Sequence, residues 1–267
     1  MIPKVIHYCW FGGKPLPKLA IKCIESWKKF CPDYEIKEWN ENNFDLNISF
    51  YTKEAYEEKK WAFITDYVRL YALVNEGGVY MDTDVEVIGS LDAFLSNKAF
   101  SGFENEKSIS TGIMACEKGF PLFSELLRDY DNRHFILEDG SLDITTNVVT
   151  ITKLCQEYGF VGNNTYQNIV GFALYPMDFF CPKDQMTGRI NSSVNTVTIH
   201  HFSGSWINLS GRISRKIQQK TTGKGKFIHL IGILTSAPFK LLTRIKKEGI
   251  KKTLIFYINK YSRLKKY

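Results

Sequence analysis

Apolar and polar positions follow two rhythms along this chain, and the switches between them outline its elements. Residues 4–10, KVIHYCW, form a short apolar run closed by Gly12-Gly13 and Pro15, which predicts a buried strand. From Lys18 to Phe30, Ala20, Ile21, Ile24 and Trp27 recur near helical spacing, and Cys31-Pro32-Asp33 ends the pattern. The stretch YEIKEWN, 34–40, alternates and predicts a second strand. Strand, helix, strand in that order implies parallel pairing and an α/β sheet.

A helix is expected over 59–78, with Trp61, Ile64, Val68, Tyr71 and Val74 on one face and Gly77-Gly78 as a left-handed C-cap. VYMDTDVEVI, 79–88, follows as one continuous strand. Downstream, the pattern predicts a short helix at SLDAFL and strands at KAFSGFE and STGIMACEKG. Helices are expected at PLFSELLRDYDN and in the second half of LDITTNVVTITKLCQEYG. GFALYPMDFFCP reads as a strand broken by proline, and NTVTIHHFSGSW as a strand entering a Gly/Ser turn. There is no internal repeat.

Charge changes this picture at the C-terminus. Residues 207–267 hold 16 of the 35 basic residues and one of the 28 acids, so a body of net −8 carries a tail of net +15. Such asymmetry speaks of partners rather than fold. The six cysteines show no C-x-x-C pair and read as scattered reduced thiols. The N-terminus lacks the apolar core and cleavage site of a secretory signal, and no apolar stretch reaches the ~20 residues that span a bilayer. These readings lead to the expectation of a cytoplasmic protein.

Two carboxylates, Asp82 and Asp84, interrupt the most apolar strand. Ionised acids are expensive to bury unless something pairs with them. In a strand, residues i and i+2 share a face, and the carboxyl end of a parallel strand opens on the crevice where α/β sheets bind ligands. Such a pair can ligate a divalent cation or serve in acid–base chemistry. A lone D-x-D also fits ordinary solvated acids. The preceding helix places Asp66 and Arg69 three residues apart, which suits either an ion pair within the helix or an arginine aimed at a phosphate.

The arrangement WAFITDYVRLYALVNEGGVYMDTDVEVI resembles glycosyltransferase family 32, and more distantly the catalytic domain of large clostridial toxins. The opening IPKVIHYCWFGG is similar to the family's I-P-K-x-I-H-x-x-W start, and IHHFSGSW, 199–206, to its closing H-x-x-x-S-W. The resemblance implies a GT-A fold, a single Rossmann-like α/β domain over residues 1–211. It also implies a retaining transferase using a nucleotide-sugar donor, UDP-hexose being favoured over GDP-mannose, with Mn²⁺ or Mg²⁺. Carried over by motif, Trp10 stacks on the nucleobase, while Asp66 and Arg69 hold the sugar or phosphates. Tyr80 and Asp82 lie at the ribose and the metal, and Asp84 ligates the metal. His201, favoured over His200, is a further ligand. Ser203 or Ser205 and Trp206 close over the diphosphate. Asp143, Thr146 and Asn147 in LDITTN are placed on the sugar or acceptor side, Asn147 among the catalytic set. TTN departs from the family's T-G-P-like sequence there. Ser110, Thr111 and Gly112 are similar loop candidates.

Residues 212–267 lie beyond these motifs. Leu241, Leu242 and Ile245, then Leu254, Ile255, Ile258 and Tyr261, recur at helical spacing among Lys and Arg. A basic amphipathic helical extension reads as an element for an anionic membrane surface. The expectation is a peripheral enzyme on the inner face of the plasma membrane, acting on a glycolipid or oligosaccharide acceptor in bacterial surface polysaccharide synthesis. Two other classes compete. A haloacid-dehalogenase-like phosphatase also carries D-x-D after an apolar strand, but Glu86 stands where that motif normally has Thr or Val. A nucleic-acid-binding protein would explain the basic tail, but its Lys and aromatic residues fit lipid equally well, and no nucleic-acid partner is expected.

Overall fold

The computed structural model describes residues 1–204, 209–221, 235–245, 249–250 and 253. Its elements run β1 (Val5–Cys9), α1 (Lys18–Phe30), β2 (Glu35–Trp39), α2 (Phe50–Glu57), α3 (Trp61–Glu76), β3 (Gly78–Met81) and β4 (Val85–Val87). They continue β5 (Ala99–Asn105), β6 (Ser108–Ile109), β7 (Ile113–Cys116), α4 (Pro121–Arg128), α5 (Asn147–Glu157), β8 (Gln167–Ile169), β9 (Phe172–Tyr175), α6 (Met177–Phe180), β10 (Thr198–His200) and α7 (Leu209–Thr221). The main sheet has the order β2-β1-β3-β7-β5-β9-β8, with β6 paired to β5. β1 runs parallel to both β2 and β3, and β5 to β9, while β3–β7, β7–β5 and β8–β9 are antiparallel. The expected α/β class therefore holds, with a mixed sheet.

The alternation of side chains along β1 and β3 builds two cores. Ile6, Tyr8, Val79 and Met81 face α1, whose Cys23, Ile24 and Trp27 cover them. Cys9 and Tyr80 face the other way, into a core shared with α2, α3, α4 and α5. Helices thus lie on opposite faces at the point where the strand order turns back on β1. In open α/β sheets the crevice at such a switch point is where ligands sit. Trp27, fully buried, donates its indole N–H to the Val85 carbonyl at 2.7 Å and fastens α1 to β4.

The helix expected at 59–78 forms as α3 and stops at Gly77, whose φ of 71° is positive but whose ψ of −171° is extended rather than left-handed helical. The chain is thereby turned straight into β3. The strand expected over 79–88 does not run through. It breaks at Met81 and resumes at Val85 as part of a separate two-stranded sheet with β10. α2 was not legible in the pattern, because only Tyr51, Thr52 and Ala55 of its eight residues are buried.

The chain divides into two units, residues 1–183 with 190–202 and residues 184–189 with 203–267. Within the second unit α7 meets a helix at 235–245, through Ser210–Thr243 and Gln218–Ser236 hydrogen bonds of 3.0 and 3.3 Å. Leu241 and Leu242 are exposed. The expected helix around Leu254–Tyr261 lies outside the described residues, as do Ser205 and Trp206. Among the described residues no helix is long and apolar enough to cross a membrane.

Gly78 has φ +106°, and a Cβ there would lie 2.7 Å from the Val5 carbonyl oxygen in the neighbouring strand. Gly119 has φ +73° with open space around it. Gly78→Ala is expected to lower the urea-unfolding free energy by well over ~1 kcal/mol, and Gly119→Ala by clearly less. Equal losses would show that the close approach of β1 and β3 adds nothing.

Candidate active site

Asp82 and Asp84 sit in a turn rather than on a strand face. The Asp82 N–H still donates to Gly112 O at 2.8 Å, extending the β3–β7 ladder by one bond, and Val85 N–H then donates back to Asp82 O at 2.9 Å. The expectation that both carboxylates line one strand is corrected accordingly. A strand through this position would bury charge between two apolar cores. The turn instead holds both acids at the carboxyl edge, with the Asp82 side chain 27% exposed and that of Asp84 13%.

The second sheet supplies the third group. β10 runs antiparallel to β4, with His200 opposite Val85 and Ile199 opposite Glu86, and His201 N–H donates to Asp84 O at 2.9 Å. Neighbouring residues of a strand face opposite ways. His200 turns its Nε2 to Asp84 Oδ1 at 3.3 Å. His201 turns to Glu86, its Nε2 2.7 Å from Oε2, and Glu86 is also held by Lys22 at 2.8 Å. The sequence favoured His201 as the metal-side histidine, and the geometry reverses that choice. Asp82, Asp84 and His200 each offer one ligand atom, all within 4.8 Å of one another.

Two carboxylate oxygens and an imidazole nitrogen suit a divalent cation such as Mn²⁺ or Mg²⁺. Burial opposes the charge of His200, but the Asp84 charge and hydrogen bond, together with Cys181, outweigh it and hold the pKa well above the ordinary value. Its Nδ1 has no well-formed hydrogen bond among the described residues, and the Cys181 thiol interacts with the ring. The Phe202 ring lies 4.1 Å from it, centre to centre, tilted by 30°. A Cβ on Gly112 would fall 2.7 Å from Nδ1, so the absence of a side chain at 112 is what admits the ring.

Arg69 organises the other half. From the buried side of α3 its guanidinium reaches Asp66 Oδ1 at 3.2 Å and Asp82 Oδ1 at 3.3 Å, and also donates to Thr111 O. It lies 4.7 Å from the centre of the Tyr80 ring, and the Tyr80 hydroxyl donates to Asp82 Oδ1 at 2.8 Å. Burial opposes the arginine's charge. Tyr80, Asp82 and Asp66 together outweigh it and hold its pKa above the usual value. Burial raises Asp66 to about 6, against the pull of Arg69 and Asn147.

Asn147 begins α5 and is 2% exposed. Its backbone N–H donates to Asp66 Oδ2 at 3.2 Å, its side-chain amide to Asp66 O, and its Oδ1 accepts from the Tyr130 hydroxyl at 2.6 Å. Expected as catalytic, Asn147 is fully engaged in seating Asp66 at the N-terminus of α5. Asp143 is taken up by Arg133 at 2.7 Å and by Thr145 N–H, and Thr146 is the extended residue before α5. Trp10 follows β1 directly and is half-buried, its indole donating to Lys14 O. The parallel β1–β3 register puts it on the same sheet edge as Asp82. Ser203 is exposed and belongs to the second unit. Glu104 and Cys181 carried no motif and were missed, because their nearness to His200 depends on how β5 and α6 pack.

Residues 17–101 match the family model described as a glycosyltransferase sugar-binding region containing DXD motif. Asp82-Thr83-Asp84 is the only D-x-D in that range. The chain is 27% identical over 146 residues to inositol phosphoceramide mannosyltransferase 3 of Schizosaccharomyces pombe, covering 50% of this chain and 40% of that protein. It is 27% identical over 171 residues to an uncharacterized glycosyltransferase, L373, of Acanthamoeba polyphaga mimivirus, covering 59% and 64%. It thus spans less than two thirds of these relatives' length. Among solved structures, the galactosyltransferase LgtC with donor and acceptor sugar analogues superposes with a TM-score of 0.40 at 15% identity, over 75% of this chain and 87% of that one.

His200→Ala is expected to weaken Mn²⁺ binding by about tenfold or more, while His201→Ala leaves it within about twofold. Titration calorimetry with Mn²⁺ reads both. The opposite ranking would return the role to His201.

Proposed function

We propose that this chain, which carries a glycosyltransferase sugar-binding region with its DXD motif at Asp82–Asp84, is a metal-dependent, retaining transferase of GT-A type. Its donor is a nucleotide-sugar, a UDP-hexose ahead of GDP-mannose. The observation that carries the reading is the convergence of Asp82, Asp84 and His200 beside the Arg69–Asp66 pair, at the carboxyl edge of β1 and β3.

A divalent cation bound by this set supplies charge stabilisation to a departing nucleoside diphosphate. The protein's own groups divide the remaining work. Arg69 carries a fixed positive charge in a site shielded from water, where it is worth more than at the surface. Asp66 is anchored on α5 and faces the same guanidinium, so its free lone pairs can accept sugar hydroxyls. Tyr80 fixes the rotamer of Asp82. Trp10 offers an indole face at the edge of the crevice for a nucleobase. Ser203, Ser205 and Trp206 are assigned to the diphosphate on motif resemblance. Same-face transfer, in which the leaving phosphate assists the acceptor hydroxyl, fits a sequence with no evident carboxylate nucleophile.

The acceptor is proposed to be a glycolipid or oligosaccharide of a bacterial surface polysaccharide, reached from the cytoplasmic side of the membrane. The basic segment 212–267 would dock there, each Lys or Arg gaining about 1 kcal/mol near anionic lipid. The full chain is expected to pellet with phosphatidylglycerol vesicles and a chain ending at Ser214 to remain in the supernatant. Equal pelleting of both would end the docking reading.

Titration calorimetry of UDP and GDP, with and without Mn²⁺, tests the donor class. One nucleotide is expected to bind only with Mn²⁺, and Asp84→Ala to abolish that binding. Wild-type protein that binds neither nucleotide would overturn the reading.

A further inference from the structure

Glu104 is the next-to-last residue of β5, one past Phe103, whose ring lies in the core shared with α3. The β5–β6 register shifts between Phe103 and Asn105, at Glu104 itself, and Phe180 of α6 stacks on Phe100 of the same strand with ring centres 5.4 Å apart. Cys181, the next residue after α6, lies with its Sγ 3.9 Å from the Glu104 carbonyl oxygen and interacts with the His200 ring. The strand end is therefore packed against the groups that position His200.

The half-buried Glu104 carboxylate feels His200, Asp82 and Arg69, and burial pushes its pKa up. It forms no hydrogen bond or ion pair among the described residues. Other shielded carboxylates of the first unit are firmly held. Glu86 has Lys22 and His201, Asp143 has Arg133 and Thr145, and Asp66 has Arg69 and Asn147. Glu104 does not join the set of ligand atoms formed by Asp82, Asp84 and His200. A shielded carboxylate without a donor is costly in the empty protein, and that cost is removed when a ligand supplies one.

We propose that Glu104 is a substrate-contacting residue that accepts a hydrogen bond from a sugar hydroxyl, on either the transferred or the accepting sugar. The inference rests on the transferase reading, since it takes the crevice beside Asp82 and His200 as the place of transfer. A carboxylate suits the task because it is acceptor-only and can bridge two vicinal hydroxyls. A site built around such a bond discriminates strongly against a sugar lacking the hydroxyl. The three acids then divide the work, with Asp82 and Asp84 on the cation and Glu104 on sugar.

The test compares wild type with Glu104→Gln, Glu104→Ala and Glu104→Asp. The first measurement is Mn²⁺-dependent binding of UDP and GDP. The second is hydrolysis of UDP-glucose, UDP-galactose and GDP-mannose, and the third is transfer from the active donor to a panel of methyl glycosides. Nucleotide affinity is expected to stay within about twofold in all three variants, while turnover of the active donor falls about tenfold or more in Gln and Ala and is partly restored in Asp. A fall in both hydrolysis and transfer places Glu104 on the donor sugar. A fall in transfer alone, with a raised KM for the glycoside, places it on the acceptor. Rates within twofold of wild type in Glu104→Gln and Glu104→Ala overturn the inference and leave the transferase reading intact. Nucleotide binding lost in parallel with the rates also overturns it, assigning Glu104 to the framework of the cation site. Wild-type protein that neither binds a nucleotide nor turns over a probe removes the transferase reading and this inference with it.

Discussion

A single buried guanidinium ties the site together. Arg69 is one of the few charges the protein places between its cores, and it is fully surrounded by Asp66, Asp82, the Thr111 carbonyl and the face of Tyr80. These partners come from α3, the turn after β3, the loop before β7, and β3 itself. Removing any one leaves a charge in a shielded setting with fewer partners, so the group holds or fails as a unit. The acids cannot drift apart while the arginine bridges them, and the arginine cannot leave while two carboxylates and a carbonyl hold its fork. That mutual constraint explains how a crevice rich in like charge persists at the edge of an apolar sheet.

The anchoring extends outward in two shells of different character. On one side Asp66 receives the first N–H of α5 and Asn147 receives the Tyr130 hydroxyl, so the helix start and the acid fix each other. On the other side the ligand set is completed by strand pairing. β4 and β10 form a minimal sheet, and its register alone decides that His200 faces the acids and His201 faces Glu86. A shift of one residue would exchange the two imidazoles.

Much of this was legible in the sequence, for identifiable reasons. α1 buries a clear stripe of Ala20, Cys23, Ile24 and Trp27, whereas α3 is buried on most sides, Asp66 to Leu70 in succession, and both appear close to where the periodicity placed them. Asp66, Arg69, Asp82 and Asp84 were readable because a charged residue in a shielded run needs a partner, and all four do meet. The turn at 82–85 was not legible, since Val79 to Ile88 has the same apolar pattern whether the strand is continuous or broken. The choice between adjacent histidines depends on a pairing with a segment far away, and composition says nothing of it. Asn147 was read toward catalysis because its polarity is visible while its hydrogen bonds to Asp66 and Tyr130 are not. Glu104 stands at the end of a strand with no motif around it, and only packing brings it beside His200.

The strand pairing that completes the site joins parts of the chain made far apart in time. His201 and Glu86 are 115 positions apart in sequence. Chains emerge from the ribosome at roughly 5–20 residues per second, and closing so long a loop carries its own entropic cost. The segment through β3 can pair and bury its core early, since β1, α1, β2 and α3 are near neighbours. Asp82 and Asp84 therefore wait through more than a hundred residues of synthesis without the His200 imidazole that lies beside them. A shortened or nascent chain holds the two clustered acids but not the histidine that meets them. The cluster of two acids and an imidazole is in this way timed to the arrival of β10, the last short strand of the first unit.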